Sequence, residues 1–137
     1  MITKEITLCG KQITLGYCFA TEIAYKELSG EEMLDYAEYA VECLQSKRDI
    51  DNKRTIMAII ACMMAYYQDE ELPLKDSDII KEATPIDKYL AILTLLEMRA
   101  KFYEIPKGEP KDKEPKGGKK RKNVQSPATS TNCSLAK

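Results

Sequence analysis

The longest apolar run in the chain is Ile56 to Tyr67, IMAIIACMMAYY, twelve residues without a charge, a glycine or a proline. Lys53 and Arg54 precede it, and Gln68-Asp69-Glu70-Glu71 follow it. As a helix it would span about 18 Å, short of the roughly 20 residues that cross a bilayer. The run therefore predicts a core helix covered by neighbours on several faces, with no membrane span. The flanking segments are patterned to supply that cover.

On the N-terminal side, residues 2–17 predict a β-hairpin. Ile6 and Leu8 alternate with Thr7, Ile13, Leu15 and Tyr17 alternate with Thr14 and Gly16, and Cys9-Gly10-Lys11-Gln12 supplies the turn. A period of two with threonines and charges on the other face is that of half-buried strands. A lone hairpin is marginal in water, so its apolar face must lie on helices or join another sheet. Thr21 stands as cap of a short helix holding Ile23, Ala24 and Leu28, which Ser29-Gly30 ends. Ser29 and Glu32 have the spacing of a capping box for the next helix, in which Met33, Leu34, Ala37, Ala40, Val41 and Leu44 recur every three or four residues.

Ser46 to Lys53 is a polar loop in which Asp51 or Asn52 can cap the central helix. After the apolar run, Leu72-Pro73-Leu74 breaks the pattern and Asp76 or Ser77 starts a short helix. Thr84-Pro85-Ile86-Asp87 then combines a threonine cap, proline at the first helical position and an acid three residues after the cap. That last helix runs to about Tyr103. Its Tyr89, Leu90, Leu93, Leu96 and Met98 exceed one narrow stripe, so broad packing against the central helix is expected. The predicted fold is mainly α (α+β): an N-terminal β-hairpin followed by a compact bundle of four to five helices.

Composition divides the chain. From Lys107 onward it turns to Lys, Pro, Gly and Glu, then to Ser, Thr, Asn and Ala, a mixture that cannot bury enough surface to offset its ordering entropy. The expected organisation is a helical domain over 1–105 and a disordered basic tail over 106–137. The net charge of -1 conceals 12 Lys+Arg against 19 Asp+Glu in the first part and 9 against 3 in the second. An acidic globule thus carries a basic tail.

Catalytic chemistry finds few carriers. The chain has no histidine, no Gly-x-Ser-x-Gly elbow, no phosphate-binding glycine loop and no zinc-protease motif. Its five cysteines are odd in number, widely spread and free of any CxxC pair, which argues against a disulfide framework or a zinc site and for buried thiols in a reducing cytosol. The start MITKEITLCG has no apolar run of signal-peptide length. The reading is a cytoplasmic non-enzyme with no catalytic residue, no metal and no cofactor.

Two clusters qualify as binding candidates. Met57, Met63, Met64, Tyr66 and Tyr67 offer an adaptable apolar surface for a partner helix, although such a cluster is more often core. Lys119, Lys120, Arg121 and Lys122 form a basic run that can meet nucleic acid or an acidic protein, but without interleaved aromatics for base stacking. Adjacent lysines followed by Arg and Lys also imply an A-rich message, on which a ribosome can slip.

In order, the hairpin with its central Gly10-Lys11 in ITLCGKQITLGYCFATEIAYKELSG, the turn Glu27-Leu28-Ser29-Gly30, the apolar helix and the acidic DEELPLKDSDIIKEAT segment resemble the tail assembly chaperones of long-tailed bacteriophages. The likeness covers about residues 6–83. It implies a non-enzymatic protein of the bacterial host cytoplasm that coats the tape measure protein, associates with itself along that partner and recruits tail tube protein. It also implies a longer form made by a -1 frameshift, for which the codons of Lys119 and Lys120 are placed. The alternatives from other classes are a structural head-to-tail connector or tail terminator protein and a nucleic-acid-binding accessory acting through the basic tail.

Overall fold

A computed structural model describes residues 1–104, so the basic tail, with Lys119, Lys120, Arg121 and Lys122, lies outside the described residues. Two antiparallel strands, β1 (Ile2–Leu8) and β2 (Lys11–Tyr17), open the chain. Five helices follow: α1 (Phe19–Ser29), α2 (Met33–Ser46), α3 (Asn52–Tyr67), α4 (Asp76–Glu82) and α5 (Pro85–Phe102). The architecture is the expected hairpin followed by helices.

The hairpin turn is tighter than the four residues predicted. Cys9 and Gly10 alone make it, with φ of 54° and 77°, and Lys11 and Gln12 already belong to β2. Positive φ at both central residues matches the twist of the strands they join. Cys9 holds this conformation with help from outside the hairpin, its N–H donating to Asp87 Oδ2 at 3.3 Å. The register pairs Ile6 with Ile13 and Ile2 with Tyr17, so Leu8, Ile13, Leu15 and Tyr17 share one face and are fully buried. That face lies on α3 and α5.

Two helix starts differ from the sequence reading. α1 begins after Cys18, not after Thr21. Thr21 sits one turn in, where its Oγ1 accepts the Cys18 N–H at 3.1 Å and donates to the Gly16 carbonyl at 3.0 Å. The Ser29–Glu32 capping box does not form. The Ser29 hydroxyl donates to the Tyr25 carbonyl at 2.7 Å and accepts the Glu31 N–H at 3.0 Å, so it closes α1, and Glu32 precedes α2. Gly30, at φ 78°, lets the chain turn between them.

α3 is central, packed by α1 and β2 and touched by α4 and α5. Asp51 caps it, accepting the Arg54 N–H at 2.9 Å. Ala58, Ile59, Ala61, Cys62 and Met63 are buried, and of the apolar run only Met64 and Tyr66 are exposed. α5 starts as its sequence signals: Thr84 Oγ1 accepts the Asp87 N–H and Asp87 Oδ2 accepts the Thr84 N–H, both at 3.1 Å. It packs mainly on the hairpin and less on α3, a departure from the expected broad contact. Ala91, Ile92, Leu95 and Met98 form its buried face. Among the described residues no helix is long and apolar enough to cross a membrane.

Candidate protein-interaction surface

The methionine and tyrosine cluster of α3 does not form one surface. Met63 is 0 % exposed and belongs to the core, on the side of α3 that faces the rest of the bundle. Met57 is half-buried and Met64 exposed. Tyr66 lies over the Gly16 backbone, close enough that a β-carbon there would meet Tyr66 Cβ at 3.2 Å, and Tyr66 stacks edge-on with Tyr67 at 4.9 Å. Tyr67 turns its hydroxyl to the hairpin, accepting the Thr14 N–H at 3.1 Å. These tyrosines clamp β2 to α3.

The larger uncovered apolar surface is on α5. Ile86, Tyr89, Leu90 and Leu93 are 69, 52, 48 and 39 % exposed. Residues three and four apart on a helix are neighbours, so the four make one patch opposite the buried face. The excess of large apolar residues noted in the sequence was the signal for this patch. A core needs one stripe, and α5 carries two.

Towards its C-terminal end the α5 patch meets α2. Leu96, Arg99 and Ala100 line one wall of a groove of about 390 Å³, and Ala37, Val41 and Glu42 line the other. Arg99 is anchored at the groove edge. Its Nε lies 3.7 Å from Glu22 and its guanidinium sits over the Tyr103 ring at 4.7 Å. Glu22 is the hub of this corner, accepting the Tyr17 hydroxyl at 2.8 Å and the Tyr103 hydroxyl at 2.7 Å. Burial and the bond to Glu22 push the Tyr17 phenol well above its ordinary value. Phe102 completes the corner, against Tyr17 at 5.5 Å and Phe19 at 5.0 Å.

α2 is fastened to the bundle at its other side by a polar and aromatic set. Arg54 makes two bonds to Glu31, at 2.8 and 3.3 Å, and lies 3.8 Å from the Tyr39 ring centre. Tyr39 accepts the Asp51 N–H at 2.9 Å, and Tyr36 meets Thr55 at 2.8 Å. These contacts hold α2 so that its face bearing Val41 stays open towards α5.

A second hollow, of about 660 Å³, lies among the α2–α3 loop, α3, α4 and the start of α5. Leu8, Ile59 and Ile79 line it, with Asp49 and Asp51 at the loop side. Its cation, Lys88, is bonded to the Ile50 carbonyl and, at 2.6 Å, to Asn52 Oδ1, so it ties the loop to α5.

Thiol chemistry has little support in the geometry. Cys62 is fully buried and burial pushes its thiol far up, and burial, followed by the nearby Asp87 carboxylate, raises that of Cys9. Both are held in the unreactive protonated form near neutrality. Among the described residues no group of three or more His, Cys, Asp or Glu side chains is placed to hold a metal. No protein family, curated protein or solved structure matches this chain.

Proposed function

We propose that the chain is a tail assembly chaperone of a long-tailed bacteriophage or prophage. In this reading it is not an enzyme; it works in the bacterial cytoplasm, coats the tape measure protein, contacts further copies of itself along that partner and recruits tail tube subunits. The observation that carries the reading is the uncovered apolar patch of α5, Ile86 to Leu93. A protein that holds a long helical partner needs apolar anchors that stay in water until the partner arrives, with charge setting orientation. The excess of acids in residues 1–105, 19 against 12 bases, keeps such a surface from non-specific association. The resemblance over residues 6–83 supplies the identity of the partners.

The test is co-expression of the full chain with the tape measure protein of its own phage, followed by purification in low salt and in about 1 M salt, where charge contacts are screened within about 3 Å. Capture is expected to survive the salt and to survive replacement of Lys119, Lys120, Arg121 and Lys122 by glutamine. Capture lost to both treatments refutes the chaperone reading and favours the nucleic-acid accessory. The longer form adds an independent requirement on the coding DNA: a slippery heptanucleotide within codons 117–122, followed by an open -1 frame.

A further inference from the structure

We infer that the outer edge of β1 is a strand-addition site. It takes an extended segment of a partner protein with apolar side chains at alternate positions and a lysine or arginine opposite Glu5. The inference stands apart from the chaperone reading, since it needs no tape measure protein.

The two edges of the hairpin differ. On β2 the Thr14 N–H donates to the Tyr67 hydroxyl at 3.1 Å, and the Gly16 carbonyl accepts the Thr21 hydroxyl at 3.0 Å. That edge is closed. These groups also fix the ladder, because in an antiparallel pair only the non-hydrogen-bonded positions turn their N–H and C=O away from the partner strand. Thr14 is paired with Glu5 and Gly16 with Thr3, so Thr3, Glu5 and, by alternation, Thr7 turn theirs to the outside of β1. All three residues are exposed, and among the described residues their outward groups have no partner.

Such a row of free donors and acceptors pairs with another extended backbone, and sheets guard it with prolines, bulges, short strands or inward-pointing charge. β1 runs for seven residues, pairs one to one from Ile2 to Leu8 and holds no proline. Its one charge on the inner face, Lys4, is tied to Glu97 of α5 at 3.5 Å. α5 keeps pace with the strand: the Cys9 N–H meets Asp87 at one end and Lys4 meets Glu97 at the other. Ten helical residues rise about 15 Å and five strand residues about 17 Å, which agrees. Leu93 and Leu90 stand exposed one and two turns before Glu97, and Ile2 and Ile6 are only half-buried. The inner side chains of an added strand thus have apolar surface to cover.

A second β1 is a poor occupant. Copies related by a two-fold axis would pair antiparallel, outward residues of one strand opposite those of the other. Centred on Glu5 the pairing sets Glu5 against Glu5, and centred on Lys4 it sets Lys4 against Lys4, both destabilising. Centred on Ile6 it sets Lys4 opposite Leu8, which is fully buried and has no surface to offer. Glu5 itself is met only by the Gln12 amide, which donates to it at 3.0 Å. A basic residue opposite it is the complement that β1 cannot present to its own copy.

The probe is a blocked seven-residue peptide with valine at the inner positions, threonine at two outer positions and lysine at the central one. One control carries glutamate for the lysine. The other is N-methylated at the three outer positions, which keeps every side chain and removes the N–H groups that pair with β1. Binding to the full chain is read by fluorescence anisotropy at low salt and by amide hydrogen exchange. The lysine peptide is expected to bind roughly fivefold tighter than the glutamate peptide, and Glu5→Lys to reverse the order with circular dichroism unchanged. The N-methylated peptide is expected not to bind, and the lysine peptide to slow exchange at Thr3, Glu5 and Thr7 by roughly tenfold. Equal binding of the N-methylated peptide, no binding of the lysine peptide, or protection that arises away from β1 overturns the inference. So does a free chain in which these three amides are already protected and light scattering reads a dimer, because a second copy then holds the edge. Peptide binding by a chain that ignores the tape measure protein leaves the edge site standing and removes the chaperone reading. Capture of that protein by a chain that binds no peptide does the reverse.

Discussion

Replacing Thr55 by valine is expected to destabilise the domain more than replacing Tyr36 by phenylalanine, although the two side chains share one hydrogen bond. Both are buried, at 2 % and 0 % exposure. Thr55 Oγ1 donates its single hydrogen to the Asp51 carbonyl at 2.8 Å, so in the 2.8 Å contact with Tyr36 the phenol is the donor. Tyr36→Phe removes a donor and leaves Thr55 with its own bond made, a loss of about 1 kcal/mol. Thr55→Val strands the Tyr36 hydroxyl in the core, which costs about 1–3 kcal/mol, with the lost bond to Asp51 added. The Asp51 carbonyl itself stays satisfied by the Thr55 N–H at 3.1 Å. The double variant has no stranded group, so it should lie close to Tyr36→Phe and well below the sum of the two. Urea unfolding followed by circular dichroism measures all three, and about 1 kcal/mol corresponds to roughly 4–8 °C in Tm for a domain of this size. Additive losses, or a larger loss for Tyr36→Phe than for Thr55→Val, would refute the donor assignment.

Alkali should unfold the domain through its buried phenols. Burial pushes Tyr36 up to about 12, and Tyr17 and Tyr25 are also raised, by burial and by their carboxylate partners Glu22 and Glu31. Each phenol ionises more readily in the unfolded chain, so its stabilising share is complete below pH 10 and declines above it; for Tyr36 the loss falls between pH 10 and 12 and amounts to roughly 3 kcal/mol. A Tyr36→Phe chain that loses its circular dichroism signal at the same pH as the parent would contradict this. Thr84→Ala should cost about 1 kcal/mol through the lost cap, and Asp87→Ala more, since Asp87 also holds the Cys9 N–H at the hairpin turn; chemical denaturation ranks the two. Cys62 should react with a thiol reagent at pH 8 only as fast as the domain opens, and labelling faster than unfolding would show that α3 is not closed around it.

Much of the local structure was legible because it depends on residues a few positions apart. Thr84, Pro85 and Asp87 mark the start of α5, Asp51 marks that of α3, and Gly30 marks the end of α1, each through a bond or a backbone angle that neighbours alone can satisfy. Alternation likewise assigned Leu8, Ile13, Leu15 and Tyr17 to the buried face of the hairpin. Where two local solutions compete, the sequence does not choose between them. Ser29 can cap the helix that follows or close the one that precedes, and the Tyr25 carbonyl together with the Glu31 N–H draws it to the second.

The candidate surface was beyond local pattern for a related reason. α3 and α5 each carry more apolar residues than one face can hold, and hydrophobicity does not say which face a neighbour covers. Tertiary packing put Met63 inside and covered Ala91, Ile92, Leu95 and Met98, leaving Ile86, Tyr89 and Leu93 in water. Glu22, which binds a hydroxyl 81 residues away at Tyr103, could not be singled out from its own surroundings either. The chain alone determined the elements and those ends, such as the starts of α3 and α5, whose hydrogen bonds and backbone angles are short-range and uncontested. Only the folded molecule decided which apolar surface went into the core and which stayed in water, because that depends on contacts between residues far apart in sequence.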